Sequence, residues 1–331
     1  MRIDKRAWSW YGALGVLGCI VLLLSFFSGF LLYPTNTSFQ VYSLEIKEGD
    51  DIFSVAKKLY EDDVIESRVS FAGYALLSGG YSSLHPGVYR LASTRIQDIL
   101  SLITSPPQEK EVTILPGMSL VMIDELLASE GIIEEGSLRS LDLGTVFGSD
   151  DVVPLVSLEG FIVPDTYRFY TGRGAEVIAR ILIGHFWEVY EDIFEGYSFD
   201  ELYETLIVAS LLEKEVITQK DKEIVAGIIY KRYGVGMSLQ IDASVLYGAC
   251  NGRSCAPLRS MFQEDTPYNT YTRKGFPPTP IASPSFSSVR AALSPRATSY
   301  WYYLSRPDTG ETVFSETLDE HAYYRSVYLG L

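Results

Sequence analysis

The sequence predicts an α+β protein behind a single N-terminal membrane-spanning helix, and three observations carry that prediction. A largely apolar span of 27 residues without a charge lies near the N-terminus. A strand–turn–helix pattern follows it and recurs 68 residues on. Beyond that, long apolar helices intermix with short strands, without the βαβ rhythm of a parallel sheet. At 331 residues the chain has length for about two domains. Its formal charge of −15 argues against nucleic-acid binding, which needs clustered Lys and Arg. Three Cys and three scattered His make no zinc-ligand spacing, so neither a metal nor another cofactor is expected.

No charged residue occurs from Ala7 to Tyr33, 27 positions in a row. At about 1.5 Å per residue that is roughly 40 Å of helix, against a bilayer core of about 30 Å. Arg2, Lys5 and Arg6 precede it, so residues 1–6 are expected to stay cytoplasmic and everything after Tyr33 to be exported. A cleaved signal peptide has a shorter apolar region. Val16-Leu17-Gly18-Cys19 fits a lipid-attachment site poorly, because Ile20 to Phe27 continues the apolar run. The exported part carries 24 basic and 41 acidic residues, so the helix and not a polybasic patch is the expected anchor.

Residues 34–40 read as a polar stalk. Val41 to Ile46 then alternates as a strand and Gly49-Asp50 turns the chain. Ile52, Val55, Ala56 and Leu59 follow at helical spacing. Val112 to Ile114, Pro116-Gly117, and then Leu120, Ile123 and Leu127 repeat the order. Val64-Ile65 corresponds to Ile132-Ile133. The pattern is either two unrelated β-turn-α units or, in the first of them, a unit that resembles the LysM module, which typically holds glycan. Gly87 to Leu91 closes the first unit as a strand, and Ile96 to Ile103 gives a helix. The Ser105-Pro106-Pro107 break separates a 41–105 subdomain from a mixed α+β domain over 108–331.

In the second domain, Gly160 and Pro164 exclude a continuous helix across Leu155 to Tyr170. Helices are predicted over 176–190, 200–215, 219–233 and 287–293. Ser198 or Asp200 would cap the second, and Thr218 the third. Leu206 to Leu212 has Ser210 as its one polar side chain, which marks a central buried element. Met237 to Ile241 reads as extended. Trp301 to Leu304 and Thr312 to Phe314 form a hairpin around Asp308-Thr309-Gly310.

Acids in apolar settings are the candidate chemistry, because desolvation favours the protonated carboxyl. Glu159, Glu213 and Glu215 qualify. Glu213 and Glu215 stand about 200° apart around one helix and cannot face the same pocket. Either could be a structural acid paired with Lys214, Lys220 or Lys222, and periodicity does not choose between them.

Five segments taken together resemble the MltG (YceG-like) family of endolytic murein transglycosylases. They are Leu158-Glu159-Gly160-Phe161 through Pro164-Asp165-Thr166-Tyr167; Ala209 to Glu215; Leu239-Gln240-Ile241-Asp242 through Gly248; Pro267-Tyr268-Asn269-Thr270-Tyr271; and Gly275-Phe276-Pro277-Pro278 with Pro280 to Pro284. They stand in the family's order. The departures are Phe161-Ile162-Val163 for a more aromatic run, Ile241 where Thr or Ser is common, Ala243 where Pro is common, and a different 250–264 segment.

The resemblance implies a lyase that cuts the MurNAc–GlcNAc β-1,4 bond inside peptidoglycan strands and leaves a 1,6-anhydro end. It places the catalytic acid on Glu215, the second Glu of the E-K-E motif. Gln240, Asp242, Asn269 and Tyr271 then line the sugar site, with Glu159 and Asp165 orienting or supporting it. Asp165 reads equally as part of a capped turn, and Tyr271 as a packing residue. Implied partners are glycan strands, the bacterial cytoplasmic membrane and cell-wall synthases, with the catalytic domain periplasmic or extracytoplasmic. The chemistry needs one acid that keeps its proton near neutral pH. A hydrolase usually adds a second carboxylate. In a lytic transglycosylase the sugar's own C6 hydroxyl attacks C1, with the effective molarity of an intramolecular step. A catalytically silent peptidoglycan-binding or assembly factor, and an inverting glycosidase pairing Glu215 with Glu159, are the competing readings.

Cys250 and Cys255 flank Asn251-Gly252-Arg253-Ser254. In an oxidising compartment this turn-prone segment lets them join; otherwise they are two free thiols.

Overall fold

The computed structural model describes residues 42–80, 84–91, 94–105, 109–147, 157–171 and 174–330. Among them no helix is long and apolar enough to cross a membrane. This corrects the predicted architecture: the mixed α+β class stands, and the described residues contain no spanning helix. The expectation of that helix fell on residues 7–33, which lie outside the described residues.

The chain divides into two compact units, Met1–Gln108 with Thr171–Arg173, and Glu109–Tyr170 with Gly174–Leu331. In the first, β1 (Tyr42–Ile46) pairs antiparallel with β2 (Gly87–Leu91), Leu44 facing Tyr89. Between them run α1 (Ile52–Glu61) and α2 (Arg68–Leu77), and α3 (Ile96–Thr104) follows. Asp51 starts α1 with a reciprocal cap: its side chain accepts from the Ser54 amide, and the Ser54 hydroxyl accepts from the Asp51 amide. The helical stripe Ile52, Val55, Ala56 and Leu59 is buried with Leu44, Phe71, Ile99 and Ile103. Val64 and Ile65 join this core from the turn between α1 and α2, where α1 ends on carbonyls of its own last turns.

In the second unit β3 (Glu109–Thr113) pairs antiparallel with β4 (Thr166–Tyr170), Val112 facing Tyr167. The strand–turn–helix repeat continues into α4 (Leu120–Ser129), and α5 (Leu143–Phe147) is a short turn beyond it. Then come α6 (Ala175–Tyr190), α7 (Phe199–Glu215), α8 (Gln219–Gly234), α9 (Asp242–Ala249) and α10 (Phe286–Leu293). A hairpin of β5 (Tyr302–Ser305) and β6 (Thr312–Ser315) precedes α11 (Leu318–Leu329). Met237 to Ile241, expected as an extended segment, has no regular secondary structure and joins no strand, because Gln240 takes a left-handed turn at φ 55°.

Helix α7 is the axis of this unit. Ser198 caps it with Glu201 reaching back, and every residue from Leu206 to Leu212 is buried. Buried Ser210 satisfies its hydroxyl by donating to the Ile207 carbonyl and accepting from the Ile281 amide, 2.7 and 3.0 Å. That second bond fastens the Pro-rich segment to α7. Gly160, at φ 85°, lies against Pro280 so closely that a Cβ would stand 2.5 Å from its ring carbons. The Leu-Glu-Gly-Phe and Pro-rich motifs are thereby two sides of one contact.

Candidate active site

Glu215 is the last residue of α7; at Val216 the backbone turns extended, with φ −144° and ψ 151°. Its half-buried side chain meets the start of α9, whose first-turn amides have no partner within the helix. The Glu215 carboxyl accepts from the Ala243 amide and from the Tyr303 hydroxyl on β5, and Asp242 stands near enough to act on it electrostatically. Burial pushes its pKa up to about 7, the Asp242 charge adds to the rise, and the two donors partly oppose it. The Ser305 hydroxyl donates to the Glu215 carbonyl at 3.2 Å, so the hairpin grips the helix end by backbone as well.

The segment before α9 is knitted to the loop that carries Tyr271. Gln240 donates its amide to the Thr270 carbonyl at 3.1 Å, and Ile241 donates to the Thr270 hydroxyl at 2.9 Å. Gln240 is exposed and holds φ 55°, a left-handed conformation that a non-glycine residue adopts at a cost of about 1 kcal/mol or more. Tyr271 donates its hydroxyl to Asp242 Oδ1 at 2.5 Å. Gln240, Asp242 and Tyr271 are thus gathered on the face of the unit where Glu215 ends.

Asn269 lies underneath. It is fully buried, its side-chain amide donates to the Glu264 carbonyl at 2.7 Å, and its Oδ1 accepts from the Tyr271 amide at 2.9 Å. It folds the loop that presents Tyr271 and exposes no atom to a ligand.

Glu213, two residues before Glu215, has the opposite environment. Burial works against its charge, but the Ser285 and Ser288 hydroxyls, the Ser285 amide and Lys222 outweigh that and hold its carboxyl below the usual range. All four donors reach Oε2, at 2.5 to 3.3 Å. Lys222 is itself buried, 4% exposed. Glu213 is an ionised acid that locks α7 to α8 and to the start of α10.

Glu159 is 2% exposed, and burial pushes its pKa up to about 7. Its two oxygens accept from the Leu120 amide, at the start of α4, at 3.1 and 3.0 Å, and Tyr247 on α9 donates to Oε2 at 2.8 Å. It joins three segments of the second unit. Asp165 is placed elsewhere, at the entry to β4, where it accepts from the Thr166 amide and pairs with His185 Nε2 of α6 at 2.9 Å. It borders an open cavity of about 660 Å³ whose wall includes His185, Trp187 and Glu188.

Sequence reasoning did not select Tyr303, Tyr247, Ser285 or Ser288 as partners of the three glutamates. Alternation along Trp301 to Leu304 signals a strand, but nothing local says that its second tyrosine reaches a helix end some ninety residues earlier. Cys250 and Cys255 are disulfide-bonded, with Cα atoms 6.3 Å apart. The bridge closes the turn directly after α9.

Glu215 is thus a half-buried acid that keeps its proton near neutral pH, flanked by a carboxylate and two tyrosine hydroxyls, an arrangement chemically able to give and take a proton. Residues 44–326 match the YceG-like family, and the chain belongs to that family. The match takes in the first unit without setting it apart as a LysM module. An endolytic murein transglycosylase of Bacillus subtilis is 30% identical over 308 residues, 87% of this chain and 84% of that protein. An endolytic murein transglycosylase of Streptococcus pneumoniae is 22% identical over 325 residues, and the alignment spans 59% of that longer protein. The crystal structure of a YceG-like protein from Listeria monocytogenes superposes with a TM-score of 0.56 at 25% identity, covering 87% of this chain and all of that one.

Proposed function

We propose that this chain is an endolytic murein transglycosylase that cuts the MurNAc–GlcNAc β-1,4 bond within peptidoglycan strands and leaves a 1,6-anhydro end. The observation that carries the reading is Glu215, a carboxyl whose pKa is pushed up to about 7 in a family whose curated relatives bear that name. Protonated Glu215 donates to the leaving glycosidic oxygen. The resulting carboxylate, held by Ala243 and Tyr303, then accepts the proton of the C6 hydroxyl as that oxygen closes on C1. One group serves both half-steps, and the fixed sugar geometry supplies the proximity that a bimolecular attack lacks.

Gln240, Asp242 and Tyr271 supply hydrogen-bonding groups along the sugar. Asn269 and Glu159 act beneath the surface by holding the loop and α4 in place, and Asp165 offers a separate contact at the β4 edge. The burial of Glu159 and its bonds to Leu120 and Tyr247 speak against its use as a water-activating base. Work outside the cytoplasm suits both the substrate and the Cys250–Cys255 bridge. Cell-wall synthases, which make the strands, are the partners this reading suggests.

Digestion of purified glycan strands with the full chain tests it. We expect products ending in 1,6-anhydro-MurNAc. Reducing ends would mean hydrolysis, and intact strands would mean a binding protein; either result overturns the reading.

A further inference from the structure

We propose that Tyr303 is a positioning residue: its hydroxyl, delivered by the β5–β6 hairpin, fixes the Glu215 carboxyl so that the acid's proton points at the substrate. The inference rests on the reading of Glu215 as the acid–base group.

A carboxylic acid holds its proton in one direction when fixed donors occupy its other lone pairs. Two protein donors occupy them here. The Ala243 amide comes from the first turn of α9, and the Tyr303 hydroxyl comes from across the helix end. The backbone amide is fixed by the helix. The phenol is fixed only as well as its strand is held, and that strand is held in three ways. The Ser305 hydroxyl donates to the Glu215 carbonyl at 3.2 Å. The Arg232 guanidinium donates to the Trp301 carbonyl at 2.8 Å and to the Leu239 carbonyl at 2.6 Å. The same guanidinium lies over the Tyr302 ring, 5.1 Å from its centroid. Arg232, 5% exposed, thus ties the hairpin to the segment that leads into Gln240 and Asp242.

The titratable groups facing this point come from five segments. Asp242 belongs to α9, Arg232 to α8, Tyr271 to the loop before α10, and Tyr303 to β5, with Arg325 of α11 acting on Tyr271. Asp242 disfavours a charged Glu215, whereas the Tyr303 hydroxyl favours it. The two therefore pull its proton affinity in opposite directions. Burial and the neighbouring Glu215 charge raise the Tyr303 pKa far above its usual value, so the phenol remains a donor through the working pH range.

Rate against pH on purified glycan strands tests this with Tyr303→Phe, which keeps the ring and removes the donor. The acid form of Glu215 is required, so activity falls as pH rises through its pKa. Removing a donor that stabilises the carboxylate moves that alkaline limb to higher pH. We expect the upward move together with a fall in kcat of about tenfold, the rate equivalent of one hydrogen bond, at little changed KM. Asp242→Asn should move the limb the other way. A merely structural Tyr303 would lower the unfolding temperature or total activity and leave the limb in place. An unmoved limb, or a loss confined to KM, overturns the proposal.

A second measurement needs no variant of Tyr303. In wild-type protein carrying ¹³C at the tyrosine Cζ, the Tyr303 resonance should titrate near pH 7, and Glu215→Gln should abolish that titration. A flat Tyr303 resonance in wild-type protein overturns the proposal even if the Phe variant fails to fold. If Glu215→Gln is fully active, the acid–base reading itself has failed; if it is inactive while Tyr303→Phe behaves as wild type, only the positioning role has.

Discussion

Two glutamates two positions apart on α7 live in opposite chemistry, set by the different partners that other segments bring to each. Glu213 meets buried Lys222 and two serine hydroxyls and stays ionised, whereas Glu215 meets a like charge at Asp242 and keeps its proton to about pH 7. The paired variants should divide accordingly. Glu215→Gln preserves shape but can neither donate to the leaving oxygen nor accept from the C6 hydroxyl. Anhydro-product release should fall by about 10²–10⁴-fold, with the unfolding temperature maintained or raised, because a desolvated carboxyl has been removed. Product chromatography and thermal unfolding read both effects. Glu213→Gln leaves Lys222 buried without its counter-charge, and should cost about 3 kcal/mol of stability in denaturant titration. Its remaining folded fraction should still cleave strands; a fully stable but inactive Glu213→Gln would reverse the roles of the two residues.

At the scale of elements, the site depends on segments distant in sequence being clamped at close range. Gly160 is one clamp: φ 85° and a 2.5 Å approach of any Cβ to Pro280 leave room for no side chain. Gly160→Ala should therefore lose at least about 2 kcal/mol through backbone strain and overpacking together. The measurement is the urea midpoint, and a loss under about 0.5 kcal/mol would show that the Pro-rich segment yields. The Ser210 hydroxyl and Glu159 are further clamps, holding Ile281 and the start of α4. Elements of this kind were partly legible in the sequence. The caps at Ser198 and Thr218, the buried run in α7 and the late hairpin follow from local patterning. The pairing of β3 with β4, across more than fifty residues, does not, because a short alternating strand carries no address for its partner.

For the whole molecule, two desolvated carboxyls that keep their protons to about pH 7 set how stability depends on pH. Glu159 and Glu215 both bind protons more tightly folded than unfolded, where a glutamate titrates near 4.5. Their contribution is fully present below pH 4.5 and is lost as pH rises through about 7. The unfolding temperature should therefore fall between about pH 5 and pH 7.5. Glu159→Gln and Glu215→Gln should each flatten that slope, and a double variant whose slope equals wild type would remove these groups as its cause.

The sequence by itself determined the α+β class, the order of the polar motifs and the three acids worth asking about, because periodicity, caps and turns are local properties of adjacent residues. It also set Glu213 and Glu215 on opposite sides of one helix, since 3.6 residues make a turn whatever surrounds it. Which of the two meets a lysine, that Asn269 is spent on its own loop, and that Tyr303 reaches Glu215 were decided only by the tertiary structure. A side chain's proton affinity depends on the charges and donors that other segments bring within a few ångströms, and the spacing of residues along the chain does not encode those distances.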